Sequence, residues 1–450
     1  MDDSRAGEIL IKYKSTNPHI RWPADLRRSI GGLINENFSS DKNYPLYQNI
    51  EDYLFDGAPI VADFGELSPE DAVYLRNICR IRAIIARSGS LAGDFEVSHT
   101  SPEEDFLQHD GGWGLFKTLN FALLLSIRPQ KRAAIVTTIR NEGLCILEWI
   151  AHHRALGFYD FYVYTNNNTD SSLGLLYELK KCGIIKLIEN EVGSGVAIQR
   201  KVFGHSLQML AELRTFEWAL YIDVDEFFVP RVEPGLDLDA VLSAVYQQFG
   251  SESPAAISFN WKWYGSQNAY DWSDNLVVER FQHCHKTDGV KSLVRLNDVI
   301  SMSQVHFPKL FNGLRLVNSN FEEILPSCGF DPVYGSGQIN HYWNKSFEEF
   351  VIKRDRGRTR PDAKQLDFSA FFNWGANSKI GDYDPLPNRI LERTRRAYRE
   401  LTSDRLIREE LALVKQTFLD KLARIDQELN LKAVYRDNLD ILYGIKQVDQ

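Results

Sequence analysis

Asp223-Val224-Asp225-Glu226 lies within an apolar stretch, TFEWALYIDVDEFFVP, and brings three carboxylates into four residues. On an extended strand residues two apart face the same side, so Asp223 and Asp225 are expected to present neighbouring carboxylates to one site. Two such groups repel unless a cation sits between them. Oxygen ligands suit hard divalent ions, and Mg²⁺ is typically held by one or two carboxylates together with substrate phosphates. By itself the motif also reads as an acidic turn capping the next element. Its surroundings decide between the two.

The surroundings are strands alternating with helices. AAIVTTI, FYDFYVYT, IIKLIEN and WALYIDVDEFFVP read as buried strands, separated by the helical stretches LCILEWIAHHRALG, SSLGLLYELKKCG and VFGHSLQMLAELR. Short apolar strands with helices of about 10–15 residues between them predict right-handed crossovers and a mostly parallel sheet. In such sheets ligands bind beyond the carboxyl ends of the strands. The first strand ends in Thr137-Thr138-Ile139-Arg140-Asn141-Glu142 and the second runs into Asn166-Asn167-Asn168-Thr169-Asp170, where Thr169 or Asp170 could equally cap a helix. Polar side chains at three strand ends fit a nucleotide lying across the sheet.

Taken in order, IVTTIRNEGLCILEWIAHHRALGFYDFYVYTNNNTD, QRKVFGHS, WALYIDVDEFFVP and INHYWNKSFEEFVIKRDRGR resemble the family 2 and family 92 (DUF23-type) glycosyltransferases of the GT-A fold. The resemblance covers about residues 132–360. It implies transfer of a sugar from a nucleotide-diphosphate donor, favouring UDP over GDP, to a glycan, glycolipid or other hydroxyl acceptor, with Mn²⁺ or Mg²⁺ as cofactor. Asp225 matches the direct metal ligand of the DxD motif, and Asp223 a contact to the donor ribose or metal. Arg140, Asn141 and Glu142 match the first-strand NE motif near the nucleotide, and Thr138 on the same strand end is taken as a further donor-binding candidate. Asn166 and Asp170 match a segment that in relatives often reads D-N-x-S-x-D, with Asn166 in place of the aspartate. Arg200 and Lys201 match a basic position ahead of the DxD strand. A later histidine commonly completes the metal site, and His341 is favoured over His306 for that place.

Around His341 the residues Lys345, Lys353, Arg354, Arg356, Arg358 and Arg360 form a basic cluster, of which Lys345 and Lys353 are assigned to the donor. Such groups can neutralise a leaving diphosphate. An inverting reaction needs a carboxylate to deprotonate the acceptor hydroxyl, and Asp271, Asp274 and Glu279 fit by their order along the chain. Trp261, Trp263, Tyr264 and Trp272 can stack on a sugar acceptor or form core. His283 and His285 share a strand face, without a third ligand at suitable spacing, and read as packing.

Composition sets the outer limits. The 450 residues are 44% hydrophobic and 25% charged, which is ordinary for a globular protein, and the formal net charge of −9 argues against broad binding of nucleic acid. Cys79, Cys145, Cys182, Cys284 and Cys328 are scattered and odd in number, which suits reduced thiols in a cytoplasmic setting. The start MDDSRAGEIL has no secretory pattern. Three regions are expected: an N-terminal extension over 1–130 of unassigned role, with a helix from about Pro69 to Ser88; an α/β domain of GT-A type over 131–383; and C-terminal helices over 384–450. Those helices could serve homo-oligomerisation, acceptor binding or peripheral attachment at the inner face of a membrane. Two other functions compete: an aspartyl-phosphate phosphohydrolase, which normally carries its DxD on the first strand, and a nucleotide-sugar-binding scaffold without turnover.

Overall fold

Ala134, Ile135 and Val136, apolar on both strand faces, lie fully buried in the interior of a large mixed sheet. The computed structural model describes residues 67–88, 97–125, 127–325, 331–357, 365–373 and 381–442, together with Gln48 and Asp52. Its strands are β1 (His99–Thr100), β2 (Lys131–Ile139), β3 (Asp160–Thr165), β4 (Lys186–Asn190), β5 (Phe216–Tyr221), β6 (Glu226–Pro230), β7 (Ala256–Tyr264), β8 (His283–Arg295), β9 (Val299–Gln304), β10 (Phe307–Leu310), β11 (Leu316–Asn318), β12 (Gly337–His341) and β13 (Asp382–Tyr383). The helices are α1 (Pro69–Ser88), α2 (Leu115–Leu125), α3 (Gly143–Ala155), α4 (Ser172–Lys181), α5 (Ile198–Met209), α6 (Leu238–Phe249), α7 (Val277–Arg280), α8 (Phe347–Arg356), α9 (Ser369–Asn373), α10 (Asn388–Ser403), α11 (Arg405–Leu429) and α12 (Leu431–Leu442).

The sheet runs β1-β4-β3-β2-β5-β8-β7-β12-β6, with β11 paired to β7 and β13 to β8. From β1 to β5 neighbouring strands are parallel, so the ends of β2, β3, β4 and β5 open on one edge. Beyond β5 the pairing turns antiparallel with β8 and becomes parallel again between β7 and β12. This is the expected α/β architecture. The helix expected at Pro69–Ser88 has those bounds.

One expectation fails. The stretch 218–230 is two strands: β5 stops at Tyr221, and β6 starts at Glu226 on the opposite border of the sheet, antiparallel to β12. The aspartates therefore stand in the turn between the strands, and the face-sharing rule for an extended strand does not apply to them. Three carboxylates in four residues cannot lie in one dry ladder, and the chain separates them by turning.

Helix α3 holds that turn. It buries most of its circumference, as a helix enclosed in a core does. Its polar atoms are spent on the turn and on β6. The Trp149 indole N–H donates to the carbonyls of Asp223 (3.1 Å) and Glu226 (2.8 Å). His152 Nε2 lies 2.7 Å from the Phe228 carbonyl, and the Phe228 amide donates to His153 Nε2. Burial pushes the His152 ring down to about 4, and pushes His153 well below the usual imidazole range.

Packing among the described residues runs across both expected region boundaries. Upstream of 131, β1 extends the sheet at β4, and buried Lys201 of α5 pairs with Asp105 at 2.6 Å. The apolar residues Phe121–Leu125 supply the end of α2, a buried core helix. Downstream of 383, Asp384 accepts from Arg231, Lys262, Tyr264 and Gln338. Helices α10 and α11 lie against α3 and α4. Close approach needs a glycine at 143, where a Cβ would press on Ser172 and on Val414 of α11. Among the described residues no helix is long and apolar enough to cross a membrane. Cys79, Cys145, Cys182 and Cys284 are free thiols, and Cys328 lies outside the described residues.

Two outcomes follow from the α3 clamp. Trp149→Phe keeps most of the ring packing but strips a donor from two buried carbonyls, so urea melts should show a loss of about 1–3 kcal/mol. A folded-state value below the unfolded one means the unfolded rings bind more protons, so His152 and His153 subtract stability as pH falls from about 6.5 towards 4. Their imidazole NMR signals should still be those of neutral rings at pH 5.5.

Candidate active site

The turn between β5 and β6 closes with the Glu226 amide donating to the Asp223 carbonyl at 3.1 Å, and the Asp223 amide donating to Glu226 Oε2 at 2.9 Å. This backward bond draws the Glu226 side chain under the turn, where it is fully buried. The two aspartates then diverge. Asp223 accepts from Gln199 Nε2 of α5 at 2.6 Å and from Lys291 Nζ of β8 at 3.0 Å. Asp225 accepts from Lys353 Nζ of α8 at 2.8 Å on Oδ2, while Oδ1 faces His341 Nε2 at 3.7 Å.

Each ionised carboxylate thus has its own ammonium. Burial alone would raise the Asp225 carboxyl, but the charge of Lys353 foremost holds it well below the usual carboxylate range. Glu226 goes the other way: burial, reinforced by the charges of Asp223 and Asp225, raises its carboxyl well above that range against the pull of Lys291. One of its oxygens, Oε1, has no hydrogen-bond partner, as suits a neutral acid better than a carboxylate. Lys291 is raised, because Asp223 and Glu226 together outweigh its burial.

The space between Asp225 and His341 suits a cation. Burial pushes His341 down to about 4 despite the nearby Asp225, so its ring is neutral. At 3.7 Å the pair is too long for a hydrogen bond, and His341 Nδ1 is buried without a partner. Among the described residues no three His, Cys, Asp or Glu side chains group closely enough to hold a metal. The donor set is therefore two protein ligands, which fits an ion that takes its other ligands from phosphates and water.

The expected donor residues divide into two groups. Thr138 shares with Ala134 and Val136 the strand face that packs on the α5 side, where Gln199 also reaches Asp223. Asn166 follows β3, buried, with Nδ2 unpaired. The second group lines a small cavity of about 60 Å³ that includes Asn141, Glu142, Asp170, Lys345, Lys353 and Arg356. Glu142 pairs with Arg356 and lies 3.8 Å from Lys345; burial would raise it, but Arg356 and then Lys345 hold it low. Arg356 also bonds the Arg140 carbonyl, and Arg140 returns a bond to the Arg356 carbonyl. Asp170 accepts from the Ser172 amide at the start of α4, the capping role left open from sequence.

Several expectations are corrected. Lys201 points at Asp105 and at the carbonyls of Ser101 and Glu191, so it anchors the N-terminal segment. Arg200 is exposed. The residue of that helix turned to the carboxylates is their neighbour, Gln199. His306 lies in the β9–β10 turn, with Nδ1 3.1 Å from the Val290 carbonyl, and packs on the Trp261 ring, as does His341. Asp274 is ion-paired with Lys415, and Glu279 with Arg395. Both carboxylates therefore tie down the C-terminal helices. Asp271 is exposed and has no ion pair among the described residues. Arg354 lies over the Phe368 ring, and Arg358 and Arg360 fall outside the described residues.

Sequence reasoning passed over Gln199, Lys291 and Trp149. Lys291 carried a signal: it is a lone lysine two residues before the apolar Leu293-Val294 pair of a strand, a place where an ammonium needs a buried anion. The wall supplied by α11, with Val414, Thr417, Phe418 and Lys421, was not foreseen either.

Replacing Glu226 by Gln fixes the neutral form. The folded wild type must take up a proton at pH values above the unfolded value of about 4.5, and the variant need not. The stability of Glu226→Gln relative to wild type should therefore climb as pH rises above about 4.5, by up to about 1.4 kcal/mol per unit. Urea unfolding at several pH values measures this directly.

The family model and a curated relative point to one family. The sequence model of glycosyltransferase family 92 matches residues 139–366. A glycosyltransferase family 92 protein of Ricinus communis is 33% identical over 108 residues, which is 24% of this chain and 18% of that protein. This chain therefore matches less than a fifth of that relative's length. Among solved structures, S. aureus TarS 1-349 in complex with UDP is 12% identical, at 53% of this chain and 69% of that one, with a TM-score of 0.28. A second structure of TarS 1-349 has the same identity and TM-score over 71% and 93% of the two chains. Scores this low add nothing to the fold described above.

Proposed function

The chain belongs to glycosyltransferase family 92, and on that premise we propose that it transfers a sugar from a nucleoside-diphosphate donor, UDP-linked in preference to GDP-linked, to a hydroxyl of a glycan or glycolipid. The observation that carries this reading is the pairing of Asp225 and His341 at the open edge of the parallel strands, next to a cavity lined by Lys345, Lys353 and Arg356.

The nucleoside would lie across the strand ends, where Thr138, the unpaired Asn166 amide, Gln199 and Asp223 offer donors and acceptors. Asp225 and His341 would hold Mn²⁺ or Mg²⁺, which when bound supplies positive charge to the leaving diphosphate. Lys353, Lys345 and Arg356 supply positive charge on the cavity side, where their largely buried side chains can act strongly on the developing anion. Trp261 and Trp263 pack against His341 at 4.7 and 5.1 Å between ring centres, and their indole N–H groups are buried without partners. An acceptor sugar would satisfy the rings by stacking and the N–H groups by its hydroxyls. Of the three carboxylates considered as base, Asp271 is the one we retain, because Asp274 and Glu279 are committed to Lys415 and Arg395.

An aspartyl-phosphate hydrolase would need Asp223 as a free nucleophile, whereas both its oxygens accept hydrogen bonds. The test is calorimetric binding of UDP and GDP, with and without Mn²⁺, to the wild type and to Asp225→Ala. Binding of UDP should need Mn²⁺. In the variant it should fall at least about 100-fold, since loss even of a group that merely supports a metal ligand costs about 10–100-fold. Failure of the folded wild type to bind either nucleotide would refute the assignment of the donor site.

A further inference from the structure

The two lysines that neutralise the turn are held in different ways. Lys291 projects from the middle of β8, is 1% exposed, and is confined between Asp223 and Glu226. Lys353 stands on α8, whose start is fixed by a reciprocal capping box between Ser346 and Glu349, and its side chain lines the cavity. Its ammonium bonds Asp225 Oδ2 and the Trp343 carbonyl, each at 2.8 Å, and sits 4.6 Å from the centre of the Trp343 ring. Of these partners only Asp225 is an anion. A lysine stem is long and flexible, so its head can change partner while the helix stays in place.

We propose that Lys353 is an internal counter-cation of the metal site. It occupies Asp225 while the site is empty and moves to the diphosphate when the donor arrives, so that the metal ion and the donor bind together and each binds poorly alone. The proposal rests on the donor reading given above and adds to it an order and a residue.

Charge balance is the reason. Asp225 and Lys353 are opposite charges in direct contact at 2.8 Å. A divalent ion entering alone would face Lys353 across a single carboxylate, and like charges at such separations repel strongly in a partly desolvated site. A divalent ion entering with a diphosphate brings an anion to which the ammonium can transfer, leaving Asp225 to the metal. By linkage, the factor by which the nucleotide raises metal affinity equals the factor by which the metal raises nucleotide affinity. Lys353 sets most of that factor.

Three measurements test this on the full chain. Mn²⁺ binding without nucleotide, followed by the electron paramagnetic resonance of the free ion, should be at least tenfold tighter in Lys353→Met than in wild type. Calorimetric titration of UDP should show a mutual enhancement between UDP and Mn²⁺ in wild type that shrinks at least tenfold in Lys353→Met. Asp225→Asn, which frees Lys353 from its anion, should bind UDP without metal several-fold more tightly than wild type does without metal. Unchanged or weaker Mn²⁺ binding by folded Lys353→Met, with the mutual enhancement intact, would overturn the proposal while leaving the donor reading standing. If that variant does not fold, unchanged or weaker metal-free UDP binding by Asp225→Asn overturns it instead. Wild type that binds no UDP even with Mn²⁺ would remove the donor reading, and this proposal with it.

Discussion

Three carboxyl groups within four residues have to be accommodated at the edge of a buried sheet, and the structure does so with two charges, two ammoniums and one proton. Asp223 is matched by Lys291 and Asp225 by Lys353, while burial keeps Glu226 protonated. The cations come from elements distant in sequence, β8 and α8. The turn can therefore be stable only once the antiparallel half of the sheet and the helix after β12 are in place. A charge left without its partner at such depth is strongly destabilising, so the site and the fold are built jointly.

Helix α3 is the mechanical counterpart of this charge arrangement. It rises directly from the strand end that carries Arg140, Asn141 and Glu142; Trp149 grips the aspartate turn, and His152 and His153 hold β6 at Phe228. One rigid element thereby sets the distance between the first-strand residues and the aspartate turn. The cost is two buried imidazoles that must stay neutral.

Much of this was legible from residue order. The period of apolar residues gave the strands β2, β3 and β4 with their helices, and the polar ends of those strands did prove to share one edge. Motif order put Asp225 and His341 at one place, and their side chains do lie 3.7 Å apart, Asp225 in the turn after β5 and His341 at the end of β12. What was not legible depended on contacts across long separations. Apolarity alone could not show that 218–230 is two strands, since both halves are equally buried and only their partners differ. Lys201 and Gln199 lie two positions apart on one helix, and no local rule tells which of them turns toward the carboxylates. Asp274 and Glu279 had the right order for a base, but order along the chain says nothing about the lysine and arginine that α11 and α10 bring to them.

The glycine under α11 has a last consequence. Gly143 opens α3 and has no side chain to hold α11 away, and α11 forms the outer wall of the cavity through Val414, Thr417, Phe418 and Lys421. The position of that wall thus depends on a missing methyl group, since a Cβ at Gly143 would press on Val414 itself. Drift at Gly143 would re-bore the pocket by moving its wall, which gives a chain of this design a way to change what it admits while its charged centre stays the same.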